Sequence, residues 1–283
     1  MKTIAVLNYK GGVGKTTFTI SVSQALALIG FRVLAIDNDS QHNLSLLLGD
    51  KIITPNIRDI YRASIGNAAQ YLSKAITRTE IANLDLVTSH NLLCTQDIKD
   101  PHILEKVIKF SSLERYYDFI IIDNSPGIDI IQEASLHAAD EIFVPTELSY
   151  FALSGISEMT KILADRYRDD CRITKIIPNF YKNTKSQNEY LDKLKELYHG
   201  KITATAIPYD TTFDKCMKEG KTLFLNRLYS KAAAYYLKLV HELFGLDEDD
   251  AWEKVLEMRN KKLSEDARAR FFEKMGQRSV IDI

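Results

Sequence analysis

Residues 8–17 read NYKGGVGKTT, and this stretch decides the fold. It follows a short apolar run, TIAVLN (3–8), and precedes a segment of helical periodicity that stops at Gly30, with Ile20, Ala27 and Leu28 facing a core. A strand, a glycine-rich turn and a helix in that order form a phosphate-binding loop, whose usual pattern is G-x-x-x-x-G-K-[ST]. Gly14, Lys15 and Thr16 stand in register. Tyr9 takes the place of the first glycine, and a second lysine, Lys10, precedes Lys15. Gly11, Gly12 and Gly14 let the backbone turn tightly and, with Val13, offer amide hydrogens to an anion; the helix opening at Lys15 adds the positive end of its dipole. On this pattern Lys15 reaches the β- and γ-phosphates, Thr16 ligates Mg²⁺ and Thr17 serves the α-phosphate.

Working outward, apolar runs alternate with longer amphipathic ones: RVLAID (32–37), LDLVTS (84–89), FIIID (119–123), EIFVPT (141–146), ITKIIPN (173–179) and ITATAIP (202–208). Each reads as a strand. Most lack polar alternation, because a parallel sheet covered on both faces buries both sides of its strands. The fold class is therefore α/β: a doubly wound, mostly parallel sheet with helices on both faces. Residues 50–80 read as short helices inserted between the second and third strands. From Tyr229 to Phe244 apolar residues recur on one helical face, and Gly245 ends that helix. The charged segment 247–283 reads as a helical C-terminal extension, with helices starting near Asp249 and Ser264, appended to a domain spanning 1–246.

Two further motifs lie where strands end. In AIDNDSQHN, Asp37 closes a strand and Asp39 sits just beyond it; in FIIIDNSPG, four apolar residues precede Asp123. Either aspartate alone fits a helix cap or a turn. In a doubly wound sheet, however, the carboxyl ends of the strands line the ligand crevice, so these carboxylates converge on the phosphate loop. Magnesium-dependent phosphate chemistry needs such groups.

Composition sets limits. Hydrophobic residues make up 45% and charged residues 27% of the 283, the formal net charge is -1, and no apolar run approaches the ~20 residues that span a bilayer. The start, MKTIAVLN, lacks the apolar region and cleavage site of a secretory signal, so a cytoplasmic location is expected. Cys94, Cys171 and Cys216 are far apart and form no C-x-x-C pair, which indicates neither a zinc site nor a disulfide framework.

KGGVGKTT, the Asp-x-Asp with its following Ser-Gln, and IIIDNSPG together resemble the deviant Walker A, Walker A′ and Walker B motifs of the ParA/MinD family of P-loop ATPases, over residues 1 to about 245. The resemblance implies ATP and Mg²⁺ as cofactors and an ATP-dependent homodimer. It implies that Lys10 reaches the nucleotide held by the other subunit, that Asp39 orients the attacking water and contributes to the metal site, and that Asp123 holds Mg²⁺ through a water. Asn179 resembles the asparagine that reads the adenine edge, and Pro208 the loop flanking that base. The sequence departs from the family at Ser40, where proline is usual, and at Asn124-Ser125, where a small residue and a proline are common; altered loop stiffness is expected. Nitrogenase-type iron proteins need cysteines near these loops, and none follows Asp123. Dethiobiotin synthetase relatives generally lack a lysine like Lys10.

Residues 201–246 hold seven Lys or Arg against four acids. Lys231 and Lys238 share a helix face, which Arg227 extends if the helix begins early; Lys215, Lys218 and Lys221 complete the patch. Such a face is either solvated or a set of phosphate contacts without base readout. In the ParA branch it implies nonspecific DNA binding by the dimer, nucleoid association, and a ParB-like adaptor that stimulates hydrolysis. The alternative is a MinD-like positioning ATPase, which ends in a basic amphipathic helix. The extension offers Phe271, Phe272 and Met275 with Arg268, Arg270, Lys274 and Arg278, but Glu265, Asp266 and Glu273 dilute the charge, so docking of its Trp252, Val255, Leu256 and Leu263 stripe is expected instead.

Overall fold

A computed structural model of the chain describes residues 1–49, 51–167, 172–228 and 230–246. Tyr229, Cys171 and the whole 247–283 extension, with the helices and stripe expected there, lie outside the described residues. The chain runs β1 (Lys2–Val6), α1 (Lys15–Ile29), β2 (Val33–Asn38), α2 (Asn43–Leu48), α3 (Ile57–Arg62), α4 (Ile65–Ala75), β3 (Ile76–Arg78) and β4 (Leu84–Val87). It continues through α5 (Ile103–Phe110), β5 (Phe119–Asn124), α6 (Ile130–Ala138), β6 (Glu141–Glu147), α7 (Tyr150–Tyr167) and β7 (Ile173–Asn179). Helices α8 (Lys185–Leu197), α9 (Thr212–Lys218), α10 (Leu223–Asn226) and α11 (Lys231–Phe244) follow.

Among the described residues the strands form one seven-stranded sheet, ordered β3-β4-β2-β5-β1-β6-β7. All neighbours pair in parallel except β3 with β4. Alternation along the strands explains the continuous apolar runs. Val33 and Ala35 of β2 face one core with α1 and α11, whereas Leu34 and Ile36 face the other with α3, α4 and α5. The β6–β7 half carries a third cluster, under α7 and α8. Each fully buried Ile, Leu or Phe contributes about 1.5–3 kcal/mol.

Local chemistry sets the helix ends. Gly30 closes α1 in the left-handed conformation at φ 113°, and Gly245 closes α11 at φ 63°. Asp129 and Gln132 cap the start of α6 reciprocally, and Ser230 caps α11 by accepting from the Ala233 amide.

Two expectations are corrected. Residues 202–208 are not a strand; they run beside β7 with an isolated bridge from Ile202 to Ile176 and a second from Pro208 to Tyr181, just beyond β7. Pro178 of β7 accepts from the Ile207 amide (2.8 Å) on that side but has no N–H to return, so the ladder breaks there. The Ala204 and Thr205 amides donate instead to the Glu242 carboxylate of α11, at 2.5 and 2.8 Å. The second correction is Arg227, which does not extend the α11 line. The chain turns between α10 and Ser230, and Arg227 pairs with Glu219 at 3.4 Å. The short antiparallel edge strand β3 went unread because three partly exposed residues carry no periodicity.

Candidate functional site

The ends of β1, β2 and β5 lie side by side, with Val6 opposite Asp123, Asp37 opposite Asp123, and Asn38 opposite Asn124. The loop after β1 therefore opens over two aspartates. Within it Gly12 and Gly14 take left-handed conformations, at φ 72° and 89°, which glycine adopts without strain. Gly14 cannot carry a side chain: a Cβ there would lie 2.4 Å from Asn179 Nδ2 and 3.3 Å from the Phe180 ring. It is also the N-cap of α1 and offers no side-chain cap, so backbone amides at the helix start face the loop.

Lys15 is buried, and its Nζ donates to the carbonyls of Lys10 (3.1 Å) and Asn8 (3.3 Å). Burial pulls its pKa below the usual lysine value, against the upward pull of Asp123 and Asp39. A buried ammonium held by carbonyls is poised for an anion. Thr16 Oγ1 donates to Asp123 Oδ2 at 2.7 Å, and Thr19 Oγ1 to Asp123 Oδ1 at 3.0 Å. Asp123 is fully buried, and desolvation, reinforced by the charge of Asp37, pushes its pKa up to about 7. A hydroxyl and a carboxylate in contact are the hard oxygen donors that suit Mg²⁺, so lysine, loop and oxygens fit a magnesium–nucleotide complex.

Asp37 has a part that sequence reasoning assigned only to a strand end. Its Oδ2 accepts from the Ser45 amide (2.8 Å) and hydroxyl (2.6 Å), and its Oδ1 from the Asp39 amide (3.2 Å). Burial raises its pKa to about 7. Asp37 thus ties the start of the 39–45 segment to its end. Asp39 is nearly buried, accepts from the Gln41 amide at 2.9 Å, and exerts its charge on Lys15, which places it at the phosphate loop.

Lys10 points to a different partner. Its Nζ is ion-paired with Glu147 at the end of β6, and Ser149 Oγ also donates to that carboxylate at 3.0 Å. The pair holds the Glu147 carboxyl below its usual pKa. Glu147 went unread in the sequence, although it ends a strand at the same edge. Asn179 donates through Nδ2 to the Val13 carbonyl (2.8 Å) and accepts at Oδ1 from the Phe180 amide (2.9 Å). Pro208 bridges Tyr181, two residues beyond Asn179. Thr17 lines a small pocket with Ile20, Ser21, Phe213, Cys216 and Lys221. Lys215, Lys218, Lys221, Lys231 and Lys238 are exposed. No cluster of three metal-ligating His, Cys, Asp or Glu residues occurs among the described residues.

A family model described as an AAA domain matches residues 1–173. An uncharacterized protein of Methanocaldococcus jannaschii is 33% identical over 237 residues, which cover 79% of this chain and 91% of the relative. The sporulation initiation inhibitor protein Soj of Bacillus subtilis is 27% identical over 250 residues, covering 86% of this chain and 98% of Soj. Among solved structures, the septum site-determining protein MinD of Pyrococcus horikoshii, complexed with Mg-ADP, matches with a TM-score of 0.70 at 26% identity over 86% of this chain and 96% of that one. The chain belongs to the ParA/MinD family of P-loop ATPases.

Membership of the ParA/MinD family implies nucleotide hydrolysis, and the doubly wound, mostly parallel sheet expected from the alternation of apolar runs is present. The departure at Asn124 has a structural reason. Asn124 Oδ1 accepts from Asn38 Nδ2 and Ser135 Oγ, both at 2.8 Å, and Nδ2 donates to the Val6 carbonyl at 3.2 Å. Tyr61 completes the network by donating to Asn38 Oδ1 at 2.8 Å. A small residue at 124 would take one partner from each of these buried groups, although Asn38 Nδ2 also donates to the Ile131 carbonyl (3.0 Å) and Ser135 Oγ to the Gln132 carbonyl (2.8 Å). A group left unsatisfied costs about 1–3 kcal/mol. At Ser125, the Oγ accepts from Gln132 Nε2 at 2.5 Å, joining the loop to α6. Nothing in the structure explains the departure at Ser40.

Proposed function

We propose that the chain is a partition-type ATPase: it dimerises on ATP, binds DNA nonspecifically as a dimer, and is reset when a ParB-like adaptor stimulates hydrolysis. The observation that carries this reading is the division of labour between the two loop lysines. Lys15 is buried within its own loop, whereas Lys10 is half-exposed and paired outside the loop with Glu147. An exposed cation outside its own phosphate loop, exchanging its surface pair with Glu147 for a facing subunit's nucleotide, makes hydrolysis depend on dimerisation, as an arginine finger does.

In this reading residues 1–246 form the ATPase domain and 247–283 an appendage. Lys10, Gly11, Gly12, Val13, Gly14, Lys15, Thr16 and Thr17 cradle the phosphates, Asn179 and Pro208 contact the base, and Thr16 and Asp123 hold the metal region. Magnesium, when bound, neutralises charge on the phosphate oxygens. Asp39 positions the attacking water from the segment that Asp37 pins. Lys215, Lys218, Lys221, Lys231 and Lys238 supply exposed cations for DNA phosphates, doubled in a rigid dimer and hence steep in ATP state. Arg227, drawn to Glu219, contributes less. The protein acts in the cytoplasm, on the nucleoid in the ATP state. A MinD-like membrane function is the second reading; among the described residues no helix is long and apolar enough to cross a membrane, which does not bear on peripheral attachment.

The test is binding to a nonspecific DNA duplex with ATP and with ADP, using Asp39→Ala to hold the ATP state and anionic liposomes in parallel. DNA binding only with ATP, weakening steeply with salt, is expected. Absence of DNA binding in both states would sink the partition reading, and liposome recruitment instead would favour the MinD side.

A further inference from the structure

The loop after β7 holds an aromatic residue in a conformation that aromatic residues avoid. Phe180 has φ 54°, in the left-handed region, where a bulky non-glycine residue is rare. Bonds on both sides hold it there. Its amide donates to Asn179 Oδ1 (2.9 Å), its carbonyl accepts from Gln187 Nε2 (3.2 Å), and the Lys182 amide donates to Gln187 Oε1 (2.7 Å). Tyr181 is bonded on both sides to the 207–209 segment, its amide donating to the Ile207 carbonyl (2.9 Å) and its carbonyl accepting from the Tyr209 amide (3.0 Å).

The consequence is the placement of the ring. It lies against the open side of Gly14, 3.3 Å from where a Cβ would be, and stays partly exposed. It therefore lies beside the phosphate loop at Gly14, which the Asn179 side-chain amide also reaches, while the next residue, Tyr181, pairs with Pro208. Asn179 has one Nδ2 hydrogen on Val13 and one Oδ1 lone pair on Phe180, which leaves one donor and one acceptor. That pair answers the N6 donor and N7 acceptor of an adenine edge.

We propose that Phe180 is a base-contacting residue, its ring forming the aromatic wall of the purine pocket whose edge Asn179 reads. This rests on the nucleotide-site reading above and adds to it, beside Asn179 and Pro208, an aromatic residue that distinguishes a nucleotide from a bare polyphosphate. Stacking of a base on an aromatic ring is sequence-tolerant and strong enough to change affinity by about 10-fold or more.

The experiment is calorimetric titration of the full chain with Mg·ATP and with Mg·tripolyphosphate. Phe180→Leu removes the ring, Phe180→Asn removes it with a residue that tolerates the left-handed conformation, and Phe180→Tyr keeps it. The two ring-deleting variants are expected to weaken ATP about 10-fold while leaving tripolyphosphate within about 2-fold, and Phe180→Tyr to bind ATP like the parent. Equal losses for both ligands would make Phe180 a brace of the phosphate loop and overturn the proposal, as would unchanged or tighter ATP binding. In those cases the parent still binds ATP and the nucleotide-site reading stands; a parent that binds neither ligand would remove that reading together with the proposal.

Discussion

The carboxyl edge of β1, β2 and β5 and the 201–246 segment both concentrate charge, yet they hold it in opposite ways. At the edge Lys15, Asp37 and Asp123 are buried, each fixed by two or more hydrogen bonds. In 201–246 Lys215 and Lys218 of α9, Lys221 in the loop after it, and Lys231 and Lys238 of α11 project into solvent. Buried charges have one geometry, and losing one partner leaves the other uncompensated. Exposed charges are screened and act additively. Chemistry at the edge should thus be brittle, and binding by the C-terminal segment graded.

The sharpest way to break this comparison is Lys10, which lies between the extremes: at the edge, but half-exposed. If it belongs functionally to the edge, Lys10→Ala lowers stimulated ATP hydrolysis by about 10³-fold or more while nucleotide still binds. Steady-state hydrolysis with DNA and adaptor, beside direct ATP binding, checks this; normal turnover would return Lys10 to the class of solvated lysines.

A smaller effect concerns the buried carboxyls. Asp37 and Asp123 have folded pKa values of about 7, above the 3.8 of an ordinary aspartate. Between about pH 4 and 7 the folded chain keeps protons that the unfolded chain has released, so stability falls as pH rises through that window. Carboxyls held low by surface ion pairs, such as Asp118 with Arg32, act below it. The thermal midpoint of the nucleotide-free protein is expected to fall from about pH 5 to about pH 8, by about 2–4 °C per kcal/mol lost. Asp37→Asn should flatten that profile; an equally steep profile in the variant would assign the fall elsewhere.

The smallest effect tests the graded half. Lys238→Ala should weaken DNA binding of the ATP form uniformly across sequences and reduce the log–log salt slope by about 0.9, one phosphate contact, without altering hydrolysis in the absence of DNA. An unchanged slope in a salt titration would make Lys238 part of a merely solvated face.

Much of the edge was legible because its chemistry is local in the chain. Three glycines, a lysine and a threonine between a strand and a helix have few other uses, and runs such as FIIID have both faces buried in the structure as their composition implies. The error at 202–208 has a distant cause. Its apolar pattern is that of a strand, but Pro178 withholds a donor and Glu242 captures two amides, and neither lies in the segment. The Asn124 network was read only as a departure from a pattern, because its partners Asn38, Tyr61 and Ser135 come from other elements.

The sequence by itself therefore determined the fold class, the phosphate loop and the strand-end aspartates, since these follow from periodicity and from steric rules acting over a few residues. Only the tertiary structure decided how the charges are partnered: Lys10 with Glu147, Asp37 with Ser45, Asn179 with the phosphate loop, Arg227 with Glu219. Hydrogen bonds and ion pairs need atoms within about 3–4 Å. Lys10 and Glu147, or Asn179 and Val13, are more than a hundred positions apart and meet at that range only when packing of the sheet brings their elements together. Even Asp37 with Ser45 and Arg227 with Glu219, eight apart, depend on how the chain turns between two elements.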